Sequence, residues 1–210
     1  MTGPEAHETE RSALKNRPET QSRWSSGRSK TAPEFEEHQF EAHLKIKLRT
    51  AVETDLPALE WWGWYGEHRE IIRSVFAEAL RGQSLMLVAD SGDFPVGQLW
   101  VDLARKKVAH VAILWALRVI PGFRGSGIGS RLILAAENTL RKHGYRTCEI
   151  GVEDENVDAR RLYERMGYQV IGKRRERRKY RDPAGARKLV ISDQWLLHKA
   201  LFPDVRTTAA

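Results

Sequence analysis

The chain has 210 residues, 41% hydrophobic and 30% charged, with seven Trp, one Cys and a formal net charge of +7. That length holds one sizeable core and is short for two, and the composition is that of a globular protein, not a fibrous one. No run reaches the roughly 18 apolar residues of a membrane span, since the longest, "VAHVAILWALRVI", is broken by His110 and Arg118.

Residues 1–43 carry six Lys/Arg and eight Asp/Glu among Ser, Thr and Pro, with no helical or strand period, and are expected to form a disordered tail. They lack the apolar segment of a signal peptide. Because Cys148 has no partner for an internal disulfide, a cytoplasmic setting is expected. The remaining body is basic and favours anionic partners. It is expected to fold over 44–202, followed by a flexible 203–210.

"LKIKLRTA" alternates as a half-buried strand. In "TDLPALEWWGWYGEHREIIRSVFAEALRGQ" two helices are expected, the first starting near Pro57. The second places Ile71, Ile72, Val75, Phe76, Ala79 and Leu80 on one face and stops at Gly82. Strands follow at "SLMLVAD", "PVGQLWVDL" and "VAHVAILWALRVI". A helix over 127–143 has Ile128, Leu132, Ala136 and Leu140 at four-residue spacing. After it come strand "TCEIGVE", a short helix "VDARRLYERM" between Asn156 and Gly167, and strands "YQVIGKRRERR" and "LVISDQWLLHK". This order predicts an α/β (α+β) protein with a mixed sheet and helices on its faces.

"RVIPGFRGSGIGSRL" runs a strand into glycines and then a helix. A helix start offers backbone N–H groups without intrahelical partners, and glycines let an anion approach them, so the stretch is a phosphate cradle. Two common phosphate loops do not fit. Gly127 is followed by Ile128 and Gly129, not by Lys and Ser/Thr, and the dinucleotide fingerprint would need Gly or Ala where Ser130 or Leu132 stands.

The remaining pattern, Val119-x-Pro121-x-x-Arg124-Gly125-x-Gly127-x-Gly129, resembles the acetyl-coenzyme A signature of the GCN5-related N-acetyltransferases. One strand downstream, "NVDARRLYERMGY" is similar to that family's Asn-to-Tyr segment, and the element order agrees from about Lys45 to Leu201. The resemblance implies a central, mostly antiparallel mixed sheet with a splayed strand pair and helices on both faces. It implies acetyl-CoA as co-substrate, an amine acceptor, and no metal.

On that resemblance, Leu117, Arg118 and Val119 would pair with the pantetheine arm. Arg124, Gly125, Ser126, Gly127, Ile128, Gly129 and Ser130 would wrap the pyrophosphate, Asn156 would contact the cofactor, and Tyr163 would protonate the leaving thiolate. Arg131 is either a further phosphate ligand or a solvated helix residue. The family's ribosomal-protein enzymes carry a glutamate five residues before the asparagine, where this chain has Gly151. Glu153 is therefore the first candidate base and Glu149 the second, both on the face of Gly151. The aromatic run offers Trp62, Trp64 and Tyr65 to the acceptor, or packs them in the core. Tyr180, in the basic run "KRRERRKYR", resembles a substrate-side tyrosine.

The expected reaction is acetyl transfer to a primary amine by direct attack, with a small-molecule amine favoured over a protein N-terminus or lysine. Two readings of other classes stay open, a nucleic-acid-binding module and a non-catalytic acyl-CoA sensor. No membrane partner is expected, nucleic acid is not favoured, and the protein is expected to be a monomer or homodimer.

Overall fold

A computed structural model describes residues 39, 41, 43–92, 94–181 and 187–202, with the side chains of 177–181, 187, 188 and 190 excepted. The expected tail and the C-terminal 203–210 lie outside the described residues, save positions 39, 41 and 43. The elements are β1 Lys47–Thr50, α1 Arg69–Leu80, β2 Ser84–Asp90, β3 Pro95–Asp102, β4 Val111–Val119, α2 Ile128–Lys142, β5 Thr147–Glu153, α3 Val157–Arg165, β6 Gln169–Arg181 and β7 Arg187–Ala200. Among the described residues no helix is long and apolar enough to cross a membrane.

The seven strands form one sheet in the order β1-β2-β3-β4-β5-β7-β6, antiparallel throughout except for β4 beside β5. β2 and β3 are buried along nearly their whole length, as strands covered on both faces must be. On one face Ile72 and Val75 of α1 pack with Leu59 against Met86, Val88 and Trp100. On the other, Ile128, Leu132, Ile133, Ala136 and Leu140 of α2 cover Leu99, Val101, Leu114 and Ile150, joined by Tyr163 from α3. The apolar spacing of the two longer helices thus decides which face of the sheet each covers.

The first expected α-helix does not form. Its residues make short 3-10 turns at Glu53–Asp55, Ala58–Glu60 and Gly66–His68. Between them Trp61 (φ 42°) and Trp62 (φ 56°) are left-handed, a conformation that interrupts any right-handed helix. The cause is tertiary: the indole of Trp61 is buried, and its N–H donates to the Pro95 carbonyl at 2.7 Å. Smaller differences follow the same logic. The long apolar stretch starts as a strand only at Val111, after a 3-10 turn over Lys107–Ala109 and a left-handed His110.

Two features of the sheet shape the site. β4 pairs with β5 only from Val111↔Thr147 to Leu114↔Ile150, while β5 continues along β7 to Glu153↔Gln194 and β4 continues along β3 to Val119↔Gly97. The strands therefore part after Leu114. At that point β4 carries a bulge: between Trp115 and Arg118 it places two residues opposite the single Leu99, and Ala116 is left-handed at φ 51°. Such a bulge bends its strand and raises the local twist, which turns the end of β4 away from β5.

The far end of α2 is locked by a buried charge. Glu137 is fully buried, and both of its oxygens accept from Lys199 of β7 at 2.8 Å, with Arg141 at 3.4 Å. Removing Lys199 alone would leave the buried carboxylate with only the longer Arg141 contact. Lys199→Met is expected to cost about 3 kcal/mol, read as a lower urea midpoint, and pairing it with Glu137→Leu is expected to return most of that loss.

Candidate active site

The glycine turn lies where β4 ends. Pro121–Phe123 form a 3-10 turn, Arg124 is extended, and α2 begins after Gly127, whose φ of 83° is left-handed. Gly127 caps α2 without a side chain, and the first backbone bond back to it comes from the Arg131 N–H at 3.1 Å. The N–H groups of Ile128, Gly129 and Ser130 are thus the unpaired donors of the helix start, at its electropositive end. A Cβ placed on Gly125, also left-handed at φ 81°, would meet nothing within 4 Å, and one on Gly127 would meet only Arg131 Nε at 4.0 Å. This open, donor-lined cradle fits a pyrophosphate. Ser126 turns its hydroxyl inward to the Phe123 carbonyl at 2.6 Å.

A residue without any sequence signal sets the position of the cradle. A Cβ on Gly97 of β3 would stand 2.9 Å from Ile128 Cγ2 and 3.3 Å from Leu132 Cδ1. Gly97 is the Cα partner of Val119, so its missing side chain lets the start of α2 settle beside the end of β4. Gly129, in the first turn of α2, faces Leu162 of α3 and Leu117 and Val119 of β4 at 3.7–4.0 Å from its Cβ position.

The backbone of β4 alternates between its two neighbours. Ile120 N–H donates to the Val96 carbonyl at 2.9 Å, so Ile120 and Arg118 face β3. Leu117 and Val119 then turn their N–H and C=O groups to the opposite edge, where β5 has left. Arg124 Nε reaches the Val119 carbonyl from that open side at 3.1 Å. Of the three residues singled out on this strand, Leu117 and Val119 offer backbone to the cleft, whereas Arg118 spends its backbone on the sheet.

α3 closes the other side. Asn156 caps it, its side-chain oxygen accepting from Ala159 N–H at 3.1 Å, so only its amide NH2 is left to donate to a ligand. Tyr163 is buried against Tyr168, the ring centroids 6.1 Å apart. Burial pushes its phenol up to about 12, and among the described residues none is hydrogen-bonded to its hydroxyl. A phenol so placed holds its proton at neutral pH.

The carboxylates of β5 divide. Glu149 is tied to Lys106 at 2.6 Å, level with Ile113 and so in the paired, closed part of the strands. Glu153 lies exposed at the open end, with Gln194 as its Cα partner. Between them, a Cβ on Gly151 would lie 2.7 Å from Gln194 Oε1 and 3.1 Å from Arg174 Nη2. The place where the ribosomal-protein enzymes carry a glutamate is therefore filled by a carboxamide and a guanidinium reaching over from β7 and β6. Gln194 has no signal in the sequence and Arg174 is one cation among several in the basic run 173–181, because only the strand order β5-β7-β6 brings them to Gly151.

The aromatic run separates as well. Trp62 and Trp64 are exposed, at 71% and 59%, and Trp62 stacks on Phe94 at 5.0 Å. Tyr65 is half-buried and lies under the Arg118 guanidinium, 4.2 Å from its ring centroid. Tyr180 has its backbone in β6 opposite Lys188, while its side chain lies outside what is described.

A sheet parted beside a glycine-started helix defines the class. Residues 46–168 match the acetyltransferase (GNAT) family, and the chain belongs to that family. The mycothiol acetyltransferase of Beutenbergia cavernae is 35% identical over 88 residues, 41% of this chain and 29% of that protein. The uncharacterized N-acetyltransferase YhfO of Bacillus subtilis is 32% identical over 89 residues, 41% of this chain and 60% of that protein. The chain thus spans less than two thirds of these relatives. The structure of YncA from Salmonella typhimurium with its cofactor acetyl-CoA shares the fold, with a TM-score of 0.59 and 17% identity over 79% of this chain and 99% of that one.

Two expectations follow from this geometry. Gly127→Ala forces a left-handed alanine at about 1–2 kcal/mol and is expected to weaken coenzyme A binding severalfold in calorimetry. Burial raises the Cys148 thiol to about 12, so iodoacetamide at pH 8 is expected to leave it unmodified until the protein is unfolded in urea.

Proposed function

We propose that the protein is an acetyl-coenzyme A-dependent N-acetyltransferase that acetylates a small primary amine by direct attack. The observation that carries this reading is the parting of β4 from β5 beside the start of α2. It turns the N–H groups of Leu117 and Val119 toward the same cleft that the helix donors flank.

In this reading the N–H groups from Gly125 to Ser130 hold the diphosphate, with Arg124 adding positive charge, and Leu117 pairs with the amide-rich arm as an added strand would. Asn156 contributes its amide NH2. Acetyl-CoA supplies the thioester that the amine attacks, releasing a thiolate. The Val119 N–H, fixed before reaction, donates to the developing oxyanion. Tyr163 gives its proton to the leaving sulfur, and Glu153 at the open end of β5 receives the amine's proton, directly or through water, with Glu149 the second candidate. A relative named mycothiol acetyltransferase supports a small-molecule acceptor, as does the lack of a carboxylate at Gly151.

The test is thiol release from acetyl-CoA across amines, polyamines, aminoglycosides and peptides. Tyr163→Phe is expected to lower turnover about 10²-fold with little change in coenzyme A affinity. Since the raised phenol stays protonated below about 12, no loss of rate from its ionisation is expected up to pH 10. Cofactor binding without turnover on any acceptor would favour an acyl-CoA sensor, and salt-sensitive oligonucleotide binding indifferent to acetyl-CoA would favour a nucleic-acid module.

A further inference from the structure

Between α1 and the 3-10 turns that precede it lies a second space, a cavity of about 200 Å³ lined by Leu56, Pro57, Glu60, Arg69, Ile72 and Arg73. Its walls are fixed by the core. Leu59 and Trp61, on either side of Glu60, are buried, as is Ile72, and the Tyr65 N–H ties down the Glu60 carbonyl at 3.0 Å. Little ordering is therefore needed when a molecule enters.

The charges in this cavity are not balanced. Arg69 Nε and Nη2 donate to the two Glu60 oxygens at 2.6 and 2.7 Å, a bidentate pair that closes the carboxylate. These bonds hold the Glu60 carboxyl below its usual range. Arg73 stands four residues beyond Arg69, on the same side of α1. It acts on Glu60 through its charge without a hydrogen bond, and its guanidinium engages no acceptor among the described residues. Two cations against one anion leave the cavity one positive charge in excess. The rest of the lining, Leu56, Pro57 and Ile72, is apolar. A guanidinium fork matches a planar acid group, and a space below the roughly 300 Å³ at which drug-sized pockets begin suits a molecule of few atoms. A metal cation does not fit, because the one carboxylate is already closed by Arg69 and faces a second guanidinium.

We infer that this cavity is a second binding site, for a small monocarboxylate whose acid group pairs with Arg73 while its short apolar body rests on Leu56, Pro57 and Ile72. It is separate from acetyl transfer: none of the six lining residues belongs to the glycine cradle, to β4 or to the carboxylates of β5.

Calorimetry with excess coenzyme A present, to occupy the glycine cradle, compares butyrate, isobutyrate and benzoate with their amides, with butylamine and with inorganic phosphate. The wild-type protein is expected to bind a carboxylate at least about tenfold more tightly than its amide, equivalent to about 1.4 kcal/mol. Arg73→Gln, at an exposed helix position, is expected to remove that preference. Glu60→Gln, which releases the Arg69 fork, is expected to tighten carboxylate binding severalfold. Opposite effects at two lining positions do not arise from a general loss of structure. Absence of saturable carboxylate binding, an amide, amine or phosphate bound as tightly, a preference that survives Arg73→Gln, or weaker binding in Glu60→Gln would each overturn the site. If Glu60→Gln does not fold, the wild-type preference and Arg73→Gln decide. Failure of coenzyme A itself to bind would count against acetyl transfer and not against this site, which Arg73→Gln identifies by itself.

Discussion

Two parallel strands that stop pairing leave backbone donors and acceptors facing a gap, and a buried peptide group without a partner is costly. β4 and β5 do this after Leu114 and Ile150. Each keeps its outer neighbour, so the sheet stays whole while its centre opens. The bulge at Ala116 makes the opening permanent, because the extra residue curls β4 away from β5 and reverses the alternation of its side chains. Leu117 and Val119 consequently pack toward α2 and Arg118 toward Tyr65.

The helix start that completes the cleft is positioned by absence of side chains as much as by contacts. Gly97 lets Ile128 and Leu132 descend onto β3, and Gly127 turns the chain into α2 through a left-handed step that a Cβ would strain. Apolar burial of Leu132, Ile133, Ala136 and Leu140 then fixes the helix against the sheet, with Glu137 and Lys199 anchoring its far end. A donor cradle held by a packed helix needs no reorganisation when an anion arrives, which is the condition for strong electrostatic binding.

On the opposite face the charge balance departs from the family's acid. Gly151 makes room for Gln194 and Arg174, and Glu149 is occupied by Lys106. On β4 the Arg118 guanidinium lies over Tyr65 and beside Trp100. The left-handed Trp61 and Trp62 belong to the same arrangement: burying the Trp61 indole against Pro95 forces the chain to turn sharply and exposes Trp62 and Trp64 at the rim.

Amphipathic period and glycine placement are local properties, so α1, α2, α3 and the seven strands could be read from the residues to within a few positions, as could the glycine turn from Gly125 to Gly129 that starts α2. Their meaning survives folding because each depends on neighbours three or four residues away. The parting of β4 from β5 was expected only through the family resemblance, and the 3-10 course of residues 53–68, the close approach at Gly97 and the meeting of Gly151 with Gln194 and Arg174 could not be read at all. Each is a contact between strands or loops far apart in the chain, decided by which elements become neighbours in the sheet. The amino-acid order by itself therefore determined the helices, the strands and the glycine turn that starts α2, and tertiary packing decided how far β4 and β5 part and which side chains of β6 and β7 meet Gly151.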